Sequence, residues 1–164
     1  MIMTKGRIAL AALAALTVTA CKASNAEVDR GRYLVVLMGC GDCHTPGGFS
    51  PSPDTARIMA GSDTSIAVPG LGVFSPPNLT PDKETGLGKW TDEQVIKAIT
   101  TGVRPDGRVL APAMPWTDFS HLTKEDAGAV VAYLRSLPPV SNKVPGPGPA
   151  KPEANVVMTF FKRP

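Results

Sequence analysis

The sequence predicts a mainly α domain that carries one small β-hairpin insertion. Three observations predict it. Three stretches show helical apolar spacing, the loops between them hold too much proline and glycine to continue any helix, and only one pair of short apolar runs flanks a turn dipeptide. The chain has 164 residues, 43% of them hydrophobic and only 5% aromatic. That length fits one domain and excludes a nucleotide-binding enzyme with a second domain. The 16 glycines and 17 prolines stay below the roughly one quarter of a chain expected of low-complexity disorder. Few large side chains remain for a core of this size, which leaves the middle to be filled by something else.

Taken in order, residues 1–20 read as a signal peptide. Lys5 and Arg7 supply the positive start, residues 8–16 the apolar stretch, and Thr17-Val18-Thr19-Ala20 the small-residue cleavage region. The apolar stretch falls well short of the ~20 residues that cross a bilayer. Val18-Thr19-Ala20-Cys21 resembles a bacterial lipobox, in which Cys21 becomes a lipidated N-terminus and residues 21–26 a leader. Ordinary cleavage that leaves Cys21 as a free thiol stays open. Lys22 is not the aspartate that retains such lipoproteins in the inner membrane, so the choice between inner and outer membrane stays open too.

The first helix is expected over residues 27–38, where Val28, Leu34, Val35 and Met38 share a face with Gly31. Residues 66–77 hold two short apolar runs around Pro69-Gly70, the pattern of a hairpin. The second helix is expected over residues 91–101, with Thr91 and Gln94 as a capping pair, Trp90 and Val95 as a staple and Gly102 as the stop. Pro105-Asp106-Gly107 is a turn, and residues 110–116 form a proline-interrupted loop with no helix. The last helix runs over residues 123–137, capped by Thr123, with Ala127, Val130, Val131 and Leu134 in one stripe, and ends at Leu137-Pro138-Pro139. The domain thus spans residues 27–139. The proline-rich tail, residues 140–164, reads as a stiff linker leading to a docking segment at 155–162, because Phe160-Phe161 would otherwise lie exposed.

Cys40-Gly41-Asp42-Cys43-His44 carries the chemistry. Two cysteines three positions apart on a helical turn project to one side, and the adjacent histidine follows them; this is the attachment signature of c-type haem. The thiols of Cys40 and Cys43 would each bond one vinyl group and His44 would bind the iron. Three other readings compete. A thioredoxin-like dithiol needs a strand leading into the pair, a zinc centre would have to recruit His121, and a plain disulfide would suit an oxidising compartment.

A sixth iron ligand must come from His121 or a methionine beyond the motif. Met114 is the best placed. It lies in Leu110-Ala111-Pro112-Ala113-Met114-Pro115-Trp116, where two prolines stiffen the chain and small neighbours allow close approach to a haem edge. The competing reading of any methionine is a core filler. Met38 is too near the motif to reach the other face, Met59 lies in a Gly/Ser/Thr/Pro-rich segment, and Met158 lies beyond the linker. His121 reads as a solvent-facing residue at a helix start.

With this N-terminal motif, an Ala-Met-Pro ligand loop and helices around them, the chain resembles the class I c-type cytochromes with one haem. Asn78-Leu79-Thr80-Pro81-Asp82 and Thr85-Gly86-Leu87-Gly88-Lys89-Trp90-Thr91 resemble, more narrowly, the cytochrome c subunits and partner cytochromes of bacterial alcohol and aldehyde dehydrogenases. The resemblance implies one covalently attached haem c in a class I cytochrome c fold. It implies that Asn78 and Trp90 lie near the haem edge, with the Trp90 indole N–H able to donate to a propionate; a turn residue and a helix staple are the plainer readings. It matches Pro46 to the proline that shapes the loop beside the haem-binding histidine. It also matches Gly31 and Tyr33 to the crossing of first and last helices, against Val130 and Tyr133. The function implied is single-electron transfer without bond chemistry on a substrate. The donor would be a periplasmic or membrane-bound dehydrogenase, and the acceptor a cytochrome or terminal oxidase. The protein would work in the bacterial periplasm, held to a membrane by its N-terminal lipid. The rival is a haem enzyme or a gas or redox sensor whose distal methionine can be displaced.

Charge gives no reason to expect nucleic acid as a partner. The chain has 17 basic and 14 acidic residues, and loss of Lys5 and Arg7 with the signal peptide leaves 15 against 14. Two ionised propionates would bring that balance to about −1.

Overall fold

Ser24 opens the first helix by accepting a hydrogen bond from the Glu27 N–H at 3.2 Å. The structure, a computed structural model, describes residues 23–68 and 70–149; the signal segment, Cys21 and the docking segment at 155–162 lie outside the described residues. Helix α1 spans Asn25–Leu37, two residues earlier than the apolar spacing predicts, because Ser24 and Glu27 hold the positions of a Ser-x-x-Glu cap. Gly39, left-handed at φ +64°, turns the chain into α2, Cys40–His44. A single 3₁₀ turn, Thr55–Arg57, follows. Strands β1, Ile66–Val68, and β2, Gly72–Phe74, form the antiparallel hairpin, with Ile66 opposite Phe74 and Val68 opposite Gly72.

Helix α3, Asp92–Thr101, has the expected reciprocal cap: Thr91 Oγ1 accepts from the Gln94 N–H and Gln94 Oε1 accepts from the Thr91 N–H. It ends at Gly102 with φ +72°. The next turn closes through the Gly107 N–H to the Arg104 carbonyl at 2.9 Å, bringing Val103 opposite Val109. The loop expected to run through residue 116 stops one residue sooner. Trp116 starts α4, Trp116–Phe119, with Pro115 at the cap, a position where its missing N–H costs nothing. Helix α5, Lys124–Ser136, starts from the Thr123 hydroxyl, which accepts from the Asp126 N–H.

The principal helix contact is α1 against α5. Gly31 sets its closeness: a Cβ there would stand 1.9 Å from the Ala129 carbonyl oxygen and 2.8 Å from the Tyr133 Cβ. The crossing expected at Val130 is therefore a backbone contact at Ala129. Tyr33, expected within the crossing, is instead 55% exposed, with the Arg30 guanidinium 5.6 Å from its ring centre. Leu34, Val35, Val95, Val130, Val131 and Leu134 make the core beneath. Arg135 ties α5 to the chain entering α3: it donates to the carbonyls of Leu87 and Trp90 and to Asp92 Oδ1.

Within the proline-rich tail, the described residues 140–149 depart from the reading as a linker. Residues 140–148 lie back across the domain, and Gly148 forms a bridge with Val73 of β2. Among the described residues no helix is long and apolar enough to cross a membrane.

Candidate haem site

The Cys-x-x-Cys-His motif is itself the short helix α2, so Cys40 and Cys43 stand one turn apart with His44 at its end. All three line a largely apolar cavity of about 470 Å³. The core helices supply Val35, Val95, Val130 and Leu134 to its walls, the hairpin supplies Ile66 and Phe74, and the loop before α4 supplies Ala113, Met114 and Pro115.

His44 is 5% exposed, and its Nδ1 lies 2.7 Å from the Pro77 carbonyl oxygen. A carbonyl can only accept, so Nδ1 carries the proton and Nε2 keeps its lone pair for a metal. Burial pushes the imidazole below its ordinary pKa, against the smaller opposing effect of the Pro77 hydrogen bond. The shift favours the neutral ring, the form that ligation requires. The main chain is held as well, since the Gly61 N–H donates to the His44 carbonyl at 2.8 Å. Thr45 and Pro46, the next two residues, are buried. Thr45 Oγ1 accepts from the Met59 N–H, which places Met59 in the core and away from the cavity wall.

The two thiols are free and half-buried. Burial pushes Cys40 up to about 11, and burial together with the Asp42 charge pushes Cys43 up. An attacking dithiol needs the opposite, a stabilised thiolate, and the element leading into this pair is a helix, not a strand. For zinc the motif lacks further ligands: His121 is exposed on the turn before α5, and among the described residues no three His, Cys, Asp or Glu side chains converge.

Met114 is pinned within its loop. Its N–H donates to the Ala111 carbonyl at 2.9 Å and its carbonyl accepts from the Trp116 N–H at 2.8 Å. The Trp116 ring lies against Gly102, where a Cβ would meet it at 2.7 Å, so the end of α3 supports the methionine loop. The structure thus brings Cys40, Cys43, His44 and Met114 to one cavity. The donor set fits an iron porphyrin: two thiols one turn apart, a neutral imidazole with a free nitrogen, and a thioether. The hollow between them lies in the roughly 300–1,000 Å³ range of cofactor sites.

Trp90 is also on the wall, and the Arg104 guanidinium stacks 4.9 Å from its ring centre. Arg104 and Arg108, both wall residues, are functional candidates that the sequence reading missed. The signal was present, because they flank the Pro105-Asp106-Gly107 turn and so must come side by side. Burial and then the Arg104 charge push the Arg108 guanidinium below its ordinary value. Two like charges held together in this way would be relieved by an anionic group on the ligand.

Asn78 lies just behind the cavity wall. Its neighbours Pro77 and Leu79 line the cavity, but Asn78 does not. Its side chain is buried elsewhere. Nδ2 donates to Thr85 Oγ1 and the Val140 carbonyl, and Oδ1 accepts from the Thr80 N–H and hydroxyl. Alternation along an extended segment turns successive side chains to opposite sides, so Asn78 knots the chain behind the wall.

Comparison with known proteins agrees with this site. The cytochrome c family model matches residues 28–138. The chain is 36% identical over 116 residues to the fructose dehydrogenase cytochrome subunit of Gluconobacter japonicus, a match covering 71% of this chain and 22% of that protein. It is 33% identical over 126 residues to the cytochrome c subunit of the quinone alcohol dehydrogenase of Gluconobacter oxydans, covering 75% and 24%. It is 35% identical over 121 residues to the gluconate 2-dehydrogenase cytochrome c subunit of Pantoea cypripedii, covering 73% and 25%. The chain therefore spans about a quarter or less of the length of these relatives. A family match across nearly all of the helical region places the chain in the cytochrome c family, the c-type cytochromes with covalently bound haem.

Proposed function

We propose that this chain carries single electrons in the bacterial periplasm by means of one haem. It takes them from a periplasmic or membrane-bound dehydrogenase and passes them to another cytochrome or a terminal oxidase. The observation that carries the reading is His44 and Met114 on the walls of one apolar cavity, each held by its own backbone hydrogen bonds. Haem, when bound, supplies reversible one-electron exchange at its iron. Cys40 and Cys43 would each add across a vinyl group, the sulfur bonding one carbon and the thiol proton going to the other, with no net change in electrons. His44 Nε2 and the Met114 sulfur would be the side-chain donors to its iron. Because hydrogen bonds hold both donors in place, oxidation and reduction of a bound haem would need little rearrangement of the chain, and a thioether donor would favour the reduced form.

The single motif in 164 residues supports one haem. The dehydrogenase partner is supported by the kind of subunit the relatives are. Lys5, Arg7, the apolar stretch after them and Cys21 support export and a lipid anchor. Carbon monoxide addition tests the function. The reduced native protein is expected not to bind it, and Met114→Ala is expected to bind it fully. Rapid, complete binding by the native protein would overturn the electron-carrier reading in favour of a haem enzyme or sensor. Intact mass reports haem count and acylation together, and Cys21→Ala is expected to move the protein from the membrane to the soluble fraction.

A further inference from the structure

We propose that residues 140–148 belong to the haem pocket: they form a strap over the His44 side of the cavity that excludes water and holds the reduction potential up. The inference rests on the haem reading above. It concerns a stretch beyond residues 28–138, the part that matches the cytochrome c family.

The strap is fastened at three points. At its start the Val140 carbonyl accepts from Asn78 Nδ2 at 2.7 Å, and the Val140 N–H donates to Thr80 Oγ1 at 3.2 Å. In the middle the Asn142 N–H donates to Thr85 Oγ1 at 3.0 Å, and Asn142 Nδ2 donates to the Ala60 carbonyl at 2.8 Å. At its end Gly148 exchanges two backbone hydrogen bonds with Val73, at 2.8 and 3.0 Å. Val144, Pro145, Gly146 and Pro147, between the last two fastenings, all line the cavity. Val144 is half-buried, while Pro145, Gly146 and Pro147 keep an outer face exposed.

Val144 is where the strap meets the machinery of His44. Its Cγ2 lies 2.5 Å from the point a Cβ on Gly61 would occupy, and that point is 3.2 Å from the Pro77 carbonyl carbon. Gly61 donates its N–H to the His44 carbonyl, and Pro77 accepts from the His44 ring. Val144 thus packs on Gly61, which holds the His44 main chain and lies beside the Pro77 carbonyl that holds its ring. Asn78 has its role here, as the anchor of the strap. The apolar shell around a redox centre sets its potential by controlling solvent access, and exposure to water favours the more charged, oxidised centre.

The test is potentiometric titration of the purified full-length holoprotein and three variants. Val144→Ser opens the wall, Gly148→Pro removes the N–H that fastens the end, and Val144→Ile is the conservative control. Val144→Ser and Gly148→Pro are each expected to shift the equilibrium at least threefold toward the oxidised form, where tenfold corresponds to about 59 mV for one electron. Val144→Ile is expected to stay within twofold of the native protein, and the visible spectra are expected to show unchanged axial ligands throughout. Attached haem whose potential stays within twofold in both disruptive variants would overturn the strap alone. Native protein without attached haem would overturn the haem reading and the strap with it.

Discussion

Two residues show how much one side chain decides. Gly31 allows the α1 and α5 backbones to touch, and a methyl group there would overlap the Ala129 carbonyl oxygen at 1.9 Å. Gly31→Ala is therefore expected to destabilise the protein by about 2–3 kcal/mol, read from urea unfolding, although alanine is the better helix former. Here packing outweighs propensity, since the propensity gain is about 1 kcal/mol. Asn78 is 2% exposed and completes four hydrogen bonds, one of them to a strap residue 62 positions away. Asn78→Ala leaves the Thr80 N–H without its partner and the Val140 carbonyl with the Thr80 hydroxyl alone, and is expected to cost about 2–3 kcal/mol. The axial-ligand bands of the holoprotein are expected to stay in place, because Asn78 is not on the cavity wall. The convergence of Cys40, Cys43, His44 and Met114 on one cavity was legible from spacing and loop chemistry. The side of the wall to which Asn78 turns was not legible, because a sequence does not say which way a polar residue faces.

Among the elements, the helices were the most legible, since their caps are local. Thr91 with Gln94 and Thr123 act as their spacing predicts, and the early start of α1 was available in Ser24-Asn25-Ala26-Glu27. The segment between the hairpin and α3 combines a local turn at Asp82 with distant bonds from Arg135. Its Asp82 carboxyl is held below the usual carboxylate range by the Thr85 hydroxyl, then by the Thr85 and Glu84 N–H groups. An acid whose native pKa lies below its unfolded value of about 3.9 adds stability above that pH and loses it as pH falls through the native value. Asp82→Asn is therefore expected to be less stable than the native protein at neutral pH, with the two urea midpoints converging below about pH 4. Arg135 fixes the far end of this segment through the Leu87 and Trp90 carbonyls. Arg135→Ala is expected to cost about 2 kcal/mol and to loosen Trp90, seen as a shift in its fluorescence.

For the molecule as a whole, the cavity is the organising fact: about 470 Å³ within a domain of this size is too large to leave without a filler. A Cys40→Ala, Cys43→Ala double variant, which cannot attach haem, is expected to lose helical circular dichroism and melt at a lower temperature, because a group bound only by the folded state stabilises that state. Mainly α class, the small hairpin and the haem motif follow from the sequence by itself, because each depends on residues within a few positions of one another. The scarcity of large side chains agrees with a core built around a porphyrin, although composition alone does not say so. Tertiary structure alone decided the rest: the backbone contact at Gly31, the pairing of Arg104 with Trp90, and the conversion of an apparent linker into part of a wall. Composition cannot distinguish a proline-rich linker from a proline-rich strap. The difference lies in donors and acceptors on Asn78, Thr80 and Val73, some 60 to 75 residues away along the chain and adjacent only once the chain has folded.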